Sequence, residues 1–144
     1  MIDAKAVRVA VAIAIFVSGC HAGDTTAPRE LSVIAVGSAT DAGGQRVNGA
    51  DVALQVLWPA RTGTRLGCTG QYLIGAWNIR TAPDGEFGLD LRLTPPTTQV
   101  CLIAYGRLPG DSVWRDTAAV FSNLRVVEAG IVPDTARFDL TFAN

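Results

Sequence analysis

The chain has 144 residues, of which 49% are hydrophobic and 17% are charged, with a formal net charge of −1. This length suits one domain with its own core and is too short for two. A net charge near zero gives no electrostatic basis for a nucleic-acid partner. The single histidine, His21, and the single lysine, Lys5, both lie near the amino terminus. The two commonest tunable bases are therefore missing from the rest of the chain, and we expect no enzyme, no cofactor and no metal site.

A short apolar segment near the amino terminus ends at a cysteine. Lys5 and Arg8 are followed by nine apolar residues, Val9 to Val17, and then by Ser18-Gly19-Cys20. Nine residues match the core of a signal peptide and fall short of the about 20 needed to span a bilayer. The pattern predicts an export signal over residues 1–19. The alternatives are a buried first helix or strand, and an ordinary secretory signal with a chance cysteine.

The tetrapeptide Val17-Ser18-Gly19-Cys20 resembles a bacterial lipobox. The resemblance implies that Cys20 becomes the first residue of the mature lipoprotein and carries acyl chains such as palmitate. Because each buried CH₂ contributes about 0.8 kcal/mol and stable anchoring takes more than one chain, this would hold the protein at the membrane. His21, in place of an aspartate, favours the outer over the inner membrane of the cell envelope. Residues 20–30 are small, polar and aperiodic, as expected of a lipidated tether.

Two further cysteines, Cys68 and Cys101, remain once Cys20 is assigned to the lipid. An even pair in a compartment that permits oxidation predicts a disulfide, with two free buried thiols as the alternative. A zinc pair is disfavoured because structural zinc takes four thiolate or imidazole ligands. Closing a loop of about 34 residues would stabilise the fold by roughly 3 to 4 kcal/mol in the chain-entropy model.

Alternation of apolar and polar residues indicates β-strands from Leu31 onward. It is clearest in Val52 to Trp58, Phe87 to Leu93 and Phe138 to Phe142, whereas Val100 to Tyr105 is apolar on both faces, as in a central strand. Less sharply bounded candidates are Leu31 to Val36, Tyr72 to Ile79 and Trp114 to Leu124. The sequence predicts an all-β domain over residues 31–144, an antiparallel Ig-like sandwich of about seven strands with little helix.

Two segments of this domain carry a further pattern. Residues 44–54 read GQRVNGADVAL, and residues 81–89 read TAPDGEFGL. The first resembles the opening hairpin of carboxypeptidase regulatory-like domains, which are transthyretin-like β-sandwiches, and the second is similar to a later turn in that family. Ala82 stands where that turn usually has an acidic residue. The resemblance covers roughly residues 31–142 and implies the fold alone, because this domain is the accessory module and not the peptidase.

Few side chains stand out as ligand-binding candidates. Trp114 lies among polar residues and is a candidate platform for a sugar ring or a protein partner, with core packing as the alternative. Core packing is the favoured interpretation for Trp58, which continues the buried side of its strand. Arg61 and Arg65 flank Thr62-Gly63-Thr64 in a predicted loop, where they either contact an anionic group or keep the loop soluble.

Three functions are compatible with these patterns. The leading hypothesis is a lipid-anchored, non-catalytic sandwich that binds or scaffolds another envelope protein or a glycan. The first alternative is a carbohydrate-binding module, which requires exposed Trp and Tyr side chains in one coplanar strip. The weaker alternative is a hydrolase that uses Asp84 and Glu86, because a glycosidase needs two carboxyl groups about 5 to 9.5 Å apart. Ordinary turn chemistry explains the same Asp-Gly-Glu sequence.

Overall fold

The computed structural model describes residues 30–94, 98–127, 130 and 132–143. The predicted signal peptide and the tether up to residue 29 lie outside the described residues. The described residues form β-strands and no α-helix, so the all-β class is confirmed. The strands are β1 Leu31–Asp41, β2 Asp51–Thr62, β3 Cys68–Arg80, β4 Glu86–Leu93, β5 Gln99–Arg107, β6 Asp116–Asn123, β7 Arg125–Val126 and β8 Asp134–Phe142. Within these ranges, no helix is long and apolar enough to cross a membrane.

The strands form two sheets packed face to face, as predicted. In sheet A, β1 lies between β4 on one side and both β7 and β8 on the other. Sheet B has the order β3-β2-β5-β6. All neighbours are antiparallel except β1 and β8, which are parallel. A parallel pair needs a long connection, and here six strands separate its two members along the chain.

The strand count differs from the prediction of about seven, because the described residues form eight. The additional strand is β7, in which Arg125 and Val126 pair with the start of β1. Two residues are too few to show any alternation, so the sequence carries no periodic signal for them. The predicted strand from Trp114 to Leu124 was also too long. It begins at Asp116, because the preceding chain turns back and the Arg115 N–H donates to Gly106 O at 2.7 Å.

The main core lies between the sheets and follows from the alternation. Val52, Leu54 and Val56 of β2 are at most 1% exposed, while the residues between them are half-buried. Phe138, Leu140 and Phe142 of β8 and Leu91 of β4 meet them from sheet A. Gly37 of β1 has a packing role: a Cβ there would collide with the Phe87 ring and the Phe138 carbonyl oxygen. The absence of a side chain at this position leaves room for that ring.

A second apolar cluster lies on the outer face of sheet B. Cys68, Cys101 and Ile103 are 1%, 0% and 5% exposed, although alternation points Cys101 and Ile103 away from the main core. The predicted disulfide is confirmed, with a Cα–Cα distance of 5.8 Å between Cys68 and Cys101. The loop of residues 63–67 folds over this face as far as β6, where a Cβ on Gly67 would lie 3.2 Å from Ala119 O. This cover explains why β5 is apolar on both sides.

Candidate functional site

The loop between β5 and β6 places Trp114 on the surface beside sheet B, with 42% of the residue exposed. The guanidinium carbon of Arg107 lies 4.7 Å from the centroid of the Trp114 ring, within the range of a cation–π contact. The Tyr105 ring centroid is 6.2 Å away, and the two ring planes meet at 58°. We call Tyr105, Arg107 and Trp114 the Trp114 patch. It presents two adjacent aromatic rings, with a cation over the ring of Trp114.

A carboxylate within the loop holds Trp114 in place. Asp111 Oδ2 accepts a hydrogen bond from Arg115 Nε at 2.7 Å, and its Oδ1 accepts one from the Val113 N–H at 3.2 Å. The bond from Arg115, together with that from Val113, lowers the pKa of Asp111. Asp111 is therefore ionised at neutral pH and fixes the turn on both sides of Trp114.

A second carboxylate fixes the arginine of the patch. Asp51 accepts a hydrogen bond from Arg80 Nε at 3.0 Å and one from Arg107 Nε at 3.1 Å. Asp51 can reach both arginines because, at the start of β2, it pairs with Arg80 of β3 on one side and with Arg107 of β5 on the other. The bonds from Arg80 and Arg107 lower the pKa of Asp51.

The strands beside the patch carry small or polar side chains. On the same face of sheet B, Tyr105 pairs with Thr117 of β6 and with Ala53 of β2, and Ala53 pairs with Asn78 of β3. This arrangement offers hydrogen-bonding groups beside an aromatic surface, which suits binding. Asp51 and Asp111 are both ion-paired to arginine, and these partners lower the pKa of each carboxyl.

Among the described residues, no hydrogen bond, ion pair or cation–π contact joins Arg61 or Arg65 to the Trp114 patch. Arg61 is near the end of β2, and Arg65 lies in the loop of residues 63–67 that folds over the outer face of sheet B. Both arginines are exposed, and neither forms an ion pair with another described residue. The structure therefore does not combine the predicted binding residues into one site.

The carboxylates Asp84 and Glu86 line a depression of about 540 Å³ on the outer face of sheet A. Other residues around it include Ser38, Arg46, Arg137 and Asp139. Asp84 Oδ1 accepts the Glu86 N–H at 3.0 Å, and Gly85 between them has a φ of 75°. This is the turn arrangement that explains Asp-Gly-Glu without catalysis. Sequence reasoning missed Arg46 and Arg137, because only strand register brings them to the same depression.

A second aromatic pair occupies another part of sheet B. The rings of Trp58 and Tyr72 stack with centroids 6.1 Å apart and planes at 28°. Trp58 is half-buried, and its Nε1 is buried without a hydrogen-bond partner among the described residues. Because the Tyr105 and Trp114 rings meet at 58°, the exposed aromatic residues of the described strands and loops do not form one coplanar strip.

The described part of the chain holds no group of three or more His, Cys, Asp or Glu side chains placed to bind a metal ion. Asp116, which lies close in sequence to Trp114, is engaged elsewhere: its Oδ2 accepts the Thr141 N–H at 2.7 Å. This bond joins the edge of sheet B to β8 of sheet A, so the carboxylate has a structural role.

Comparison with known proteins gives only distant structural similarity. The chain matches no protein-family model and no curated protein. It is similar to the dioxygenase domain of a dioxygenase–carbohydrate-binding protein fusion from Streptomyces sp. SirexAA-E, with 14% identity and a TM-score of 0.43, over 83% of this chain and 84% of that one. It is also similar to hydroxyquinol 1,2-dioxygenase from Pseudomonas putida DLL-E4, with 14% identity and a TM-score of 0.40, over 78% of this chain and 56% of that one. Neither similarity identifies a function.

Proposed function

We propose that the chain is a lipid-anchored, non-catalytic binding or scaffolding module of the bacterial cell envelope. The export signal and lipobox-like Val17 to Cys20 support the anchor, and the tether that follows is short. Ten coil residues average roughly 15 to 20 Å end to end, so the sandwich would sit close to its membrane. The absence of an aspartate after Cys20 supports the outer membrane as its location.

The Trp114 patch is the observation that carries the binding role. Its tryptophan is exposed, yet the loop that bears it is fixed by Asp111, and its arginine is fixed by Asp51. A surface that is ordered before binding loses less side-chain entropy on association. Tryptophan, tyrosine and arginine are also the residues that dominate the binding energy of protein interfaces. A protein component of the envelope is the partner that these three side chains suit best.

Affinity capture from solubilised envelopes tests this role. The matched variants are Trp114→Ala and Val113→Ala, because both residues are exposed, at 42% and 58%, and they are adjacent in the same loop. We expect a specific partner to be retained by the Val113→Ala variant and lost at least tenfold by Trp114→Ala. Equal capture by both variants would remove the patch from the binding site.

The anchor has its own test, which is independent of the partner. Intact-mass analysis of the protein from its native host should show residues 1–19 removed and acyl mass on Cys20. A full-length, unmodified chain would disprove the anchor while leaving the binding experiment valid.

A glycan ligand has less support than a protein partner. The Tyr105 and Trp114 rings meet at 58°, whereas a run of sugar rings requires roughly coplanar aromatic faces. The hydrolase alternative would require turnover of a glycan that is abolished by Glu86→Gln and retained by Asp90→Asn. Observing that result would replace the binding role with a catalytic one.

A further inference from the structure

The two lateral sides of the sandwich are built differently. On one side the edge strands β6 and β8 approach each other, and the Thr141 N–H donates to Asp116 Oδ2. On the other side, β3 pairs with β2 and β4 pairs with β1, and among the described strands neither has a second neighbour. Within the part of the chain that the structure describes, this second side therefore presents two strand edges with unpaired backbone groups.

The two open edges differ in how they discourage pairing with another chain. The polar positions of β4 carry Glu86, Asp90 and Arg92, and charges along an edge strand oppose the addition of a further strand. In contrast, β3 has no charged residue from Cys68 to Ile79 and no proline. It also exposes Tyr72 and Leu73, at 52% and 55%. Thus β3 lacks the charges that protect the edge of β4.

The β3 edge is held in place by its surroundings. Its first residue, Cys68, is bonded to Cys101 of β5, and its last, Arg80, is paired with Asp51 of β2. The pairing with β2 shifts register at one point, since Val56 faces Gly75 and Leu57 faces Leu73, which leaves Ile74 as a bulge. The bulge lies at the midpoint of the strand and divides the edge into two arms, Cys68–Leu73 and Gly75–Arg80.

We propose that the β3 edge is a self-association surface, which pairs antiparallel with β3 of a second copy of this chain. A two-fold axis near Ile74 would place the Cys68–Leu73 arm of each copy beside the Gly75–Arg80 arm of the other, and closed two-fold contacts are the usual form of homodimers. The charges permit this arrangement. Arg80 is the only charged residue of β3, and the axis puts the two copies of Arg80 at opposite ends of the paired strands.

The expected dimer is weak. A 13-residue strand is about 43 Å long and the sheets are about 10 Å apart. The open side therefore offers roughly 400 Å² from each copy, about half of what each partner contributes to a standard stable interface. We expect a dimer that dissociates on dilution in the micromolar range. Confinement to a membrane surface would favour the dimer further. That gain rests on the proposed anchor, whereas dimerisation in solution is independent of the anchor.

Sedimentation equilibrium of the full chain in density-matched detergent tests the proposal. The informative variant is Leu73→Lys, because the side chain is exposed and adjacent to the two-fold axis, so a dimer would bring two ammonium groups together. Val132→Lys is the matched control, since Val132 is 74% exposed and lies outside β3. We expect the wild type and Val132→Lys to dimerise with the same constant, and Leu73→Lys to dimerise at least tenfold more weakly.

A charge-exchange experiment separates pairing across the two-fold from a general loss of apolar surface. Leu73→Glu alone should also dimerise at least tenfold more weakly than the wild type, whereas an equimolar mixture of Leu73→Lys and Leu73→Glu should form a heterodimer. Thermal unfolding of each variant establishes that it is folded. A wild type that is monomeric at about 0.5 mM, a dimer unaffected by Leu73→Lys, or a mixture that fails to associate would each overturn the proposal, as would pairing of β3 only with an unrelated protein.

Discussion

The main core and the outer cluster of sheet B bury apolar side chains by different means. In the main core, two sheets cover each other, and residues at every second position are buried along each strand, as in Val52, Leu54 and Val56. In the outer cluster, one sheet face is covered by a loop, and Cys68 and Cys101 tie that loop to the sheet. The first kind of burial follows from local periodicity. The second depends on a covalent bond between two strands that are not neighbours.

The largest effect that distinguishes the two regions is expected from truncation in the main core. Phe138 is 1% exposed between the sheets, so Phe138→Ala removes its contacts and leaves a cavity. We expect a loss of about 3 to 5 kcal/mol in the free energy of unfolding, measured by urea denaturation. The exposed control Val132→Ala should change it by less than about 0.5 kcal/mol. A loss below about 1 kcal/mol for Phe138→Ala would mean that the sheets repack freely.

Removal of the disulfide should have the next largest effect. The double variant Cys68→Ala/Cys101→Ala should lose about 3 kcal/mol in the free energy of unfolding, because the unfolded chain regains the entropy of the open loop. Reduction of the wild type supplies the control: dithiothreitol should lower its stability by a similar amount and leave the double variant unchanged. Equal stability of oxidised wild type and double variant would show that the cluster holds the loop without the bond.

A smaller effect is expected at Gly37 in the middle of β1. A Cβ there would collide with the Phe87 ring and with a backbone oxygen, so Gly37→Ala should lower the free energy of unfolding by about 1 to 3 kcal/mol. Gly88 is the matched control on the adjacent strand. Its Cβ would lie 3.7 Å from Val36 Cγ1, an ordinary contact, and Gly88→Ala should be neutral or slightly stabilising. Equal losses at both positions would contradict the packing role of Gly37.

The smallest effect concerns Asp51 on the outer face of sheet B and depends on pH. Its pKa in the folded protein lies below the ordinary 3.8, so the ionised form stabilises the fold above the unfolded pKa. That stability is lost as the pH falls through the lowered folded value. Because Arg80 is 76% exposed, the contribution at neutral pH should stay below about 1 kcal/mol.

The matching experiment compares the wild type with Asp51→Asn by urea denaturation between pH 7 and pH 2. The wild type should be the more stable protein at pH 7, and the difference should shrink below about pH 4. A difference that stays constant over this range would assign the effect of the substitution to packing instead of charge.

Much of the fold was predictable because alternation is a local property. The segments around Leu54, Leu91 and Leu140 each indicated which face would be buried, and the structure buries those faces. Cys68 and Cys101 predicted the disulfide by count and compartment. The two-residue β7 was not predictable, since it forms only because β1 offers it a partner. The predicted start of a strand at Trp114 was wrong, because turn contacts delay the start of β6 to Asp116.

The candidate site was predictable only in part. Trp114 was identified from its polar neighbours in sequence, whereas its contacts with Tyr105 and Arg107 required the turn between β5 and β6. Arg61 and Arg65 were grouped with Trp114 as binding residues, but the structure shows no contact between either arginine and Trp114. Side chains distant in the sequence meet only where register and turns bring their strands together.

The sequence by itself determined the export-signal pattern, the all-β class, the buried faces of the longer strands and the pairing of two cysteines. Each of these depends on residues that are close together in the chain, or on a count. The tertiary structure decided which strands became edges, which carboxylate holds Arg107 beside Trp114, and that β3, alone among the described strands, keeps an uncharged open edge. These outcomes depend on strand order and register, which arise when two sheets bury their apolar faces together and not from any single segment.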